Sequence, residues 1–373
     1  MTTECGINRR QFLQRAALAR TLLWWPRTND DTSNRNDEIS LVTWPHHLYK
    51  ENDGVLEPAS TESVVFNLLV KSKRNGELQP SSARLEFYSA AERAHLIELS
   101  QKALDAMRGK DIAGREDGEP EMYDFRHNFS LPVNLGVDRL VYELRLKQPG
   151  NAEARSRLEI PLLRYEQKTR LIFPIKGKFV IGMGHAFNEP HADGRSQHFA
   201  YDIVGMGPHW EFTRNETTGN AGPRNEDIYT WGREIVAPAD STVVYARNDV
   251  PDQPAPGTVD PKLYQNVPGG PSIPGNHVLL DHRTGEYSSL GHMQRGTVRV
   301  KTGDHVKQGD LLGQIGSGGD SQFPHLHYQL QMPSGLDFRA DGLPAHFENI
   351  SFDIMGKPMK ISSPKRGIFM EAH

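Results

Sequence analysis

Between residues 38 and 166 apolar and polar residues alternate in short runs: Val64-Val65-Phe66-Asn67-Leu68-Leu69-Val70, Ala83-Arg84-Leu85-Glu86-Phe87-Tyr88, Arg139-Leu140-Val141-Tyr142-Glu143-Leu144-Arg145-Leu146 and Leu158-Glu159-Ile160-Pro161-Leu162-Leu163. A period of two sends successive side chains to opposite faces of a strand, so these runs predict half-buried strands. Several such strands in succession predict a β-sandwich-like domain over 38–166. Across Ala91 to Met107 the apolar residues fall at mixed three- and four-residue spacing, which predicts one helical interruption. His46, His47 and His127 match no ligand pattern and read as surface or turn residues.

A second β-rich domain opens near Leu171-Ile172-Phe173-Pro174 and is expected to run over 167–350, followed by a C-terminal tail, 351–373. Two stretches, about 206–231 and 251–275, are rich in Gly, Pro, Asn and Asp and have no periodicity. They predict long loops, which in a compact domain often border a functional site. The fold class expected is therefore mainly β, with two domains.

Composition narrows what these domains do. The chain has 373 residues, 24% of them charged, and no stretch is apolar enough for long enough to span a bilayer. The formal charge is −4, with Lys and Arg dispersed rather than gathered into a stripe that could neutralise phosphates. Neither an integral membrane segment nor a nucleic-acid partner is expected. The single cysteine, Cys5, leaves the remainder without a thiol, so any metal must be held by His and carboxylate, for which there are sixteen histidines.

Near the N-terminus, Asn8-Arg9-Arg10-Gln11-Phe12-Leu13 and the small-residue run from Ala16 to Ala19 resemble a twin-arginine export signal. The polar stretch 27–37 reads as a linker, so 1–37 is expected to be signal and linker, and the mature chain periplasmic or extracellular.

Two short motifs bring metal-ligand chemistry into the second domain. His198-Phe199-Ala200-Tyr201-Asp202 sets a histidine and an aspartate four apart, on one face if the segment is extended, and His325-Leu326-His327 does the same for two histidines. Three ligands from two strands, with a fourth position for water, is the pattern of a catalytic zinc site. Spacing alone does not select this pair, because His277-Val278-Leu279-Leu280-Asp281 has it too. Asp281, however, begins Asp281-His282-Arg283-Thr284-Gly285-Glu286, which reads as a hairpin turn that it would cap.

The ordered run Gly275-Asn276-His277 to His282, Gly285-Glu286-Tyr287-Ser288, Gly291-His292-Met293, Val306-Lys307-Gln308-Gly309-Asp310, Gly313-Gln314-Ile315-Gly316-Ser317-Gly318 and Pro324-His325-Leu326-His327 closely resembles the lysostaphin-type (β-lytic, LytM-like) zinc metallopeptidase domain. The resemblance covers roughly 170–335. By position it implies one zinc ion on His198, Asp202 and His327, with His292 and His325 as the two catalytic histidines. Ala200 stands where many members have glycine. The activity implied is a zinc endopeptidase that hydrolyses peptide bonds of peptidoglycan cross-links or bridges through metal-activated water.

Two other readings remain at this level. One is a non-catalytic, cell-wall-binding or hydrolase-activating domain of the same fold, although all five motif positions are filled. The other takes Val306 to Gly313 as a biotinyl- or lipoyl-carrier hairpin, but no exposed lysine sits beside Met in a tight turn there.

Overall fold

In the computed structural model, residues 39–52, 60–72, 78–108, 121–148, 152–184, 191, 197–214, 223–268, 272–333 and 340–373 are described. They fall within one unit, Glu38–His373. The export-signal and linker segment, 1–37, lies outside the described residues.

The N-terminal half is built from β1 (Ile39–Trp44), β2 (Leu48–Asn52), β3 (Thr61–Ser72), β4 (Gln79–Ser89), β5 (Glu92–Ser100), β6 (Glu121–Pro132), β7 (Arg139–Lys147) and β8 (Glu153–Arg164). They pair in the order β1-β3-β2-β8-β7-β4-β5, with β6 on β3 and a parallel β2–β8 link. The sheet closes on itself as a sandwich would: Phe129 of β6 packs edge-on against Phe87 of β4 at 5.2 Å, although those strands share no ladder. Alternation does the work here, since Phe66, Leu68, Leu85, Phe87 and Tyr142 are all fully buried in one cluster.

Two expectations fail in this half. Residues 92–100 form a strand, and only Gln101–Ala106 is helical, with the Ser100 hydroxyl accepting from the Ala103 N–H at 3.3 Å. β5 is an edge strand paired only with β4 and buries neither face fully, so its alternation is blurred and imitates helical spacing. His127 is not a surface residue but fully buried. Phe125, His127 and Phe129 lie on one face of β6, and the imidazole stacks on Phe66 at 4.9 Å and meets Tyr142 edge-on at 5.2 Å. Burial pushes its pKa down to about 3 and keeps it neutral.

The C-terminal half contributes β9 (Gly177–Met183), β10 (Tyr201–Gly205), β11 (Glu234–Val236), β12 (Ser241–Ala246), β13 (Asn276–Asp281), β14 (Tyr287–Met293), β15 (His305–Val306), β16 (Leu311–Gln314), β17 (Leu326–Gln331), β18 (Gly342–Leu343), β19 (Ile350–Ile354), β20 (Lys357–Ile361) and β21 (Met370–Ala372). The main sheet runs β15-β12-β13-β14-β17-β10-β9-β21-β19-β20, with β18 on β17, while β11 and β16 pair separately. Residues 351–373 are thus no loose tail: β21 pairs with β9, setting Met370 against Phe179. A second core surrounds Phe173, Phe179, Tyr328 and Phe347. Among the described residues no helix is long and apolar enough to cross a membrane.

The halves meet through polar contacts. Tyr165 donates to Glu286, which also accepts the N–H groups of Lys168 and Thr169 at 2.7 Å each. His47 pairs with Asp341 at 3.3 Å, and Glu51 with His346 at 3.3 Å.

Candidate metal centre

Three adjacent strands, β14, β17 and β10, carry the chemistry. Asp202 on β10 lies directly opposite His327 on β17, and His327 lies opposite Gly291, the neighbour of His292, on β14. β17 reads Leu-His-Tyr-Gln-Leu-Gln. Leu326, Tyr328 and Leu330 face the core, and the alternation sends His327, Gln329 and Gln331 to the other face, where they are buried as well.

Three imidazoles converge on one carboxylate oxygen. Asp202 Oδ1 lies 3.3 Å from His191 Nε2, 3.4 Å from His325 Nε2 and 3.1 Å from His327 Nδ1. Each ring is held from behind by its other nitrogen. His327 Nε2–H donates to Gln329 Oε1 at 3.1 Å, and the Gln329 amide donates in turn to Gln331 Oε1 at 2.6 Å. His325 Nδ1–H donates to the Phe323 carbonyl at 2.8 Å, and His191 Nδ1–H to the Ala200 carbonyl at 3.4 Å. In the neutral rings the lone pairs therefore point inward, at an anionic oxygen.

Acceptors facing an acceptor make a stable arrangement only with positive charge between them. Protons alone would require three imidazoliums around a single carboxylate, a costly excess of charge in a site where all four residues are buried. A divalent cation held by His191, Asp202 and His327 would answer two of those lone pairs and neutralise the carboxylate that His325 faces. Ligand atoms of His191, Asp202 and His327 lie within 4.8 Å of one another, and a nitrogen–nitrogen–oxygen set on neutral imidazoles suits zinc. The residues present fit that ion.

The charge balance is visible in the titrating groups. Burial alone would raise the Asp202 carboxyl, yet the charges of His325 and His191 and their hydrogen bonds hold it well below the usual carboxylate range. Burial pulls His325 down, but Asp202 and the Phe323 carbonyl outweigh it and the net shift is upward. His292 is driven well below its ordinary value by burial and by the charges of His325 and His327.

His292 adjoins the group, its ring 4.6 Å from that of His325. Its Nδ1–H donates to the Gly318 carbonyl at 2.8 Å, and its backbone, at φ +59°, donates to the Pro274 carbonyl at 2.8 Å. The Gly318 carbonyl can stand there because Gly275, at φ +63°, has no side chain: a Cβ would lie 2.2 Å from that carbonyl. The loop 251–275 props the same segment, with Gln253 donating to the Gly319 carbonyl at 2.6 Å and Asp252 accepting from Ser317 N–H at 2.8 Å. The loop 206–231 reaches the other side, where Phe212 meets Phe323 at 6.2 Å and Phe323 meets His325 at 5.3 Å.

Of the five residues expected from sequence, Asp202, His292, His325 and His327 come together. His198 is buried in the turn that precedes β10 but is not one of the three whose ligand atoms cluster. The argument from four-residue spacing presumed an extended segment, whereas 198–199 turn and the strand begins only at Tyr201. Beside Asp202 Oδ1 the structure sets His191 instead, its Nε2 at 3.3 Å. Nothing in spacing pointed to it, since a loop separates it from the strand. Gln329 and Gln331 were also missed, although a His-x-Gln-x-Gln alternation on an otherwise apolar strand is a legible signal. The rival pair is accounted for: His277 donates to the Gly275 carbonyl at 2.9 Å and stacks on Tyr245 at 4.8 Å, and Asp281 accepts the Arg283 N–H at 2.7 Å, capping the turn.

The model of Peptidase family M23 matches residues 227–337, a stretch that contains His292, His325 and His327 and begins after His191 and Asp202. The peptidoglycan DD-endopeptidase ShyC of Vibrio cholerae is 34% identical over 98 residues, 26% of this chain and 19% of that protein. The cell division protein DipM of Caulobacter vibrioides is 27% identical over 113 residues, 30% of this chain and 15% of its own length. The chain thus spans less than a fifth of either relative. Similar solved structures include a catalytic-domain mutant of the prophage-encoded M23 protein EnpA of Enterococcus faecalis, 21% identical over 38% of this chain and 92% of that one, at a TM-score of 0.21. The catalytic domain of lysostaphin from Staphylococcus simulans is 23% identical over 32% of this chain and 80% of that one, at a TM-score of 0.20. Residues 227–337 thus carry a Peptidase M23 domain of the LytM type.

Proposed function

We propose that the chain is a zinc-dependent endopeptidase of the cell wall, cutting peptide bonds in peptidoglycan cross-links or bridges in the periplasm or outside the cell. The observation that carries this reading is the convergence of three buried imidazole lone pairs on the Asp202 carboxylate. Asp202 and His327 are two of the protein ligands. The third is His191 on the geometry, in the place that motif position gave to His198.

A zinc ion held by His191, Asp202 and His327 would supply Lewis acidity toward a carbonyl and a water acidic near neutral pH. His325 and His292 are the groups left to move protons. Each commits Nδ1–H to a main-chain carbonyl and so presents Nε2 as the reactive nitrogen. One ring takes the proton from the attacking water, and the other protonates the leaving amine or holds the developing oxyanion. Fixed tautomers keep both rings oriented without reorganisation during the reaction. That the relatives include a peptidoglycan DD-endopeptidase supports peptide bonds of the wall as the substrate class.

The test is digestion of purified peptidoglycan by the zinc-loaded chain, with released fragments identified by mass spectrometry and metal measured on the same sample. Released peptides that disappear on chelation and return with zinc support the reading. Stoichiometric zinc with no hydrolysis of any wall preparation would leave the non-catalytic, wall-binding alternative.

A further inference from the structure

At the far end of β10 from Asp202 lies a second cavity, of about 430 Å3, lined by Lys178, Arg214, Tyr229, Arg233 and Glu371 together with Met206 and Pro208. Its floor is the Arg233 guanidinium, laid across the strand. Nη1 donates to the Lys178 carbonyl at 2.7 Å and Nη2 to the Met206 carbonyl at 2.9 Å. The strand makes room for it by having no side chain at 205, where a Cβ would come within 2.5 Å of Nη1 and 2.9 Å of Cζ.

The cations here are seated on carbonyls and rings. Arg214 lies over the Tyr229 ring at 4.7 Å, and Lys178 over the Trp210 ring at 4.8 Å while donating to the Pro208 carbonyl. Among the described residues no carboxylate stands within ion-pair distance of Lys178, Arg214 or Arg233, and Glu371 is the one acid in the lining. Three cations stand against Glu371 in the lining and Glu211 beside Gly207 and Tyr229, which still leaves the cavity net positive in a chain whose formal charge is −4. Burial and the neighbouring charge of Arg214 both pull the Arg233 pKa down.

We propose that this cavity binds the carboxylate of a peptide, held between the Arg214 and Arg233 guanidinium groups. The planar N–H fork of Arg214 can match a carboxylate in two-point fashion, and Arg233, whose Nη1 and Nη2 each already donate to a carbonyl, adds its remaining N–H groups and its charge. Glu371 at the wall opposes a dianion more than a monoanion, which favours carboxylate over phosphate. Met206, Pro208 and the Tyr229 ring offer an apolar wall that a peptide would cover and a free ion would not. The inference does not depend on the metal chemistry at the other end of β10.

Calorimetric titration of the full chain tests it, with N-acetyl-D-alanyl-D-alanine, the same dipeptide as its C-terminal amide, and inorganic phosphate as the three probes. Each is run with and without zinc, so that binding at the metal is separated from binding at the arginines. The acid is expected to bind equally in both states, the amide about tenfold more weakly or not at all, and phosphate more weakly than the acid. Arg214→Gln, an exposed position that carries little risk to folding, is expected to weaken the acid about tenfold, and Arg233→Lys to weaken it while keeping the charge. Equal binding of acid and amide, tighter binding of phosphate, loss of the signal when zinc is removed, or an Arg214→Gln chain that binds as before would each overturn the proposal.

Discussion

His327 presents Nδ1 to Asp202 because Gln329, two residues along the same strand face, accepts its Nε2–H at 3.1 Å. Gln331 holds the Gln329 amide in that orientation, so three alternate residues of β17 form one chain of hydrogen bonds behind the proposed ligand. Groups that orient a metal-ligating imidazole typically change metal affinity about 10–100-fold when removed. Gln329→Leu is therefore expected to fold, to keep the same zinc stoichiometry at saturation, and to lose affinity within that range. Competition against a chromophoric chelator reads this directly. An unchanged dissociation constant would show that the bond to Gln329 does not set the tautomer.

His191 and His198 compete for one role, and metal content separates them. His191 sits 3.3 Å from the Asp202 oxygen, whereas His198 lies in the turn ahead of the strand. His191→Ala should strip most of the zinc, as should Asp202→Ala and His327→Ala. His198→Ala and His277→Ala should stay near stoichiometric. Zinc lost from His198→Ala and retained in His191→Ala would restore the ligand set implied by motif position.

These contrasts show what the chain discloses before it is folded. Where a strand is buried on one face its alternation is plain, and β3, β4, β7 and β8 were legible for that reason. β5 is not legible in the same way, because an edge strand with two half-exposed faces carries no clear period, and a polar imidazole at His127 masks the buried face that Phe125 and Phe129 mark on either side of it. Around the candidate site, strand register brings together Asp202, His327 and the neighbourhood of His292, the residues to which motif order pointed. His191 escaped motif order, because a loop residue reaches its partner by chain folding that no local period records.

Binding and chemistry should come apart within the His325-Leu326-His327 motif. His325→Ala and His292→Ala leave the proposed ligands in place and are expected to keep zinc, while hydrolysis falls about a hundredfold or more as proton transfer fails. His327→Ala should lose both. Measuring zinc and fragment release on the same three preparations decides the matter, and full activity in His325→Ala would remove it from the mechanism.

Gly275 makes a prediction about geometry rather than chemistry. At φ +63°, with the Gly318 carbonyl where its Cβ would stand, alanine must displace the carbonyl that holds His292 Nδ1–H. Gly275→Ala is expected to lower stability by about 1–3 kcal/mol and to reduce hydrolysis with zinc retained. Wild-type turnover in that variant would mean that His292 is oriented by something other than Gly318.

Acid stability should depend on His127, far from any metal ligand. Its folded pKa is pushed down to about 3 by burial, from an unfolded value near 6.5. Between those two values the unfolded chain binds a proton that the folded chain refuses. The contribution is thus fully present above pH 6.5 and is lost progressively as pH falls toward 3, by an amount on the order of a few kcal/mol. His127→Leu removes the titrating group and keeps an apolar side chain against Phe66 and Tyr142, so its midpoint temperature should fall less than that of the natural chain between pH 7 and pH 4.5. Both proteins are scanned in chelator so that proton-driven metal release adds nothing to the comparison. His277 and His282, each pushed down to about 4, titrate in both chains and cancel in the difference. Parallel loss of stability in the two proteins would mean that His127 is not the buried neutral imidazole described here.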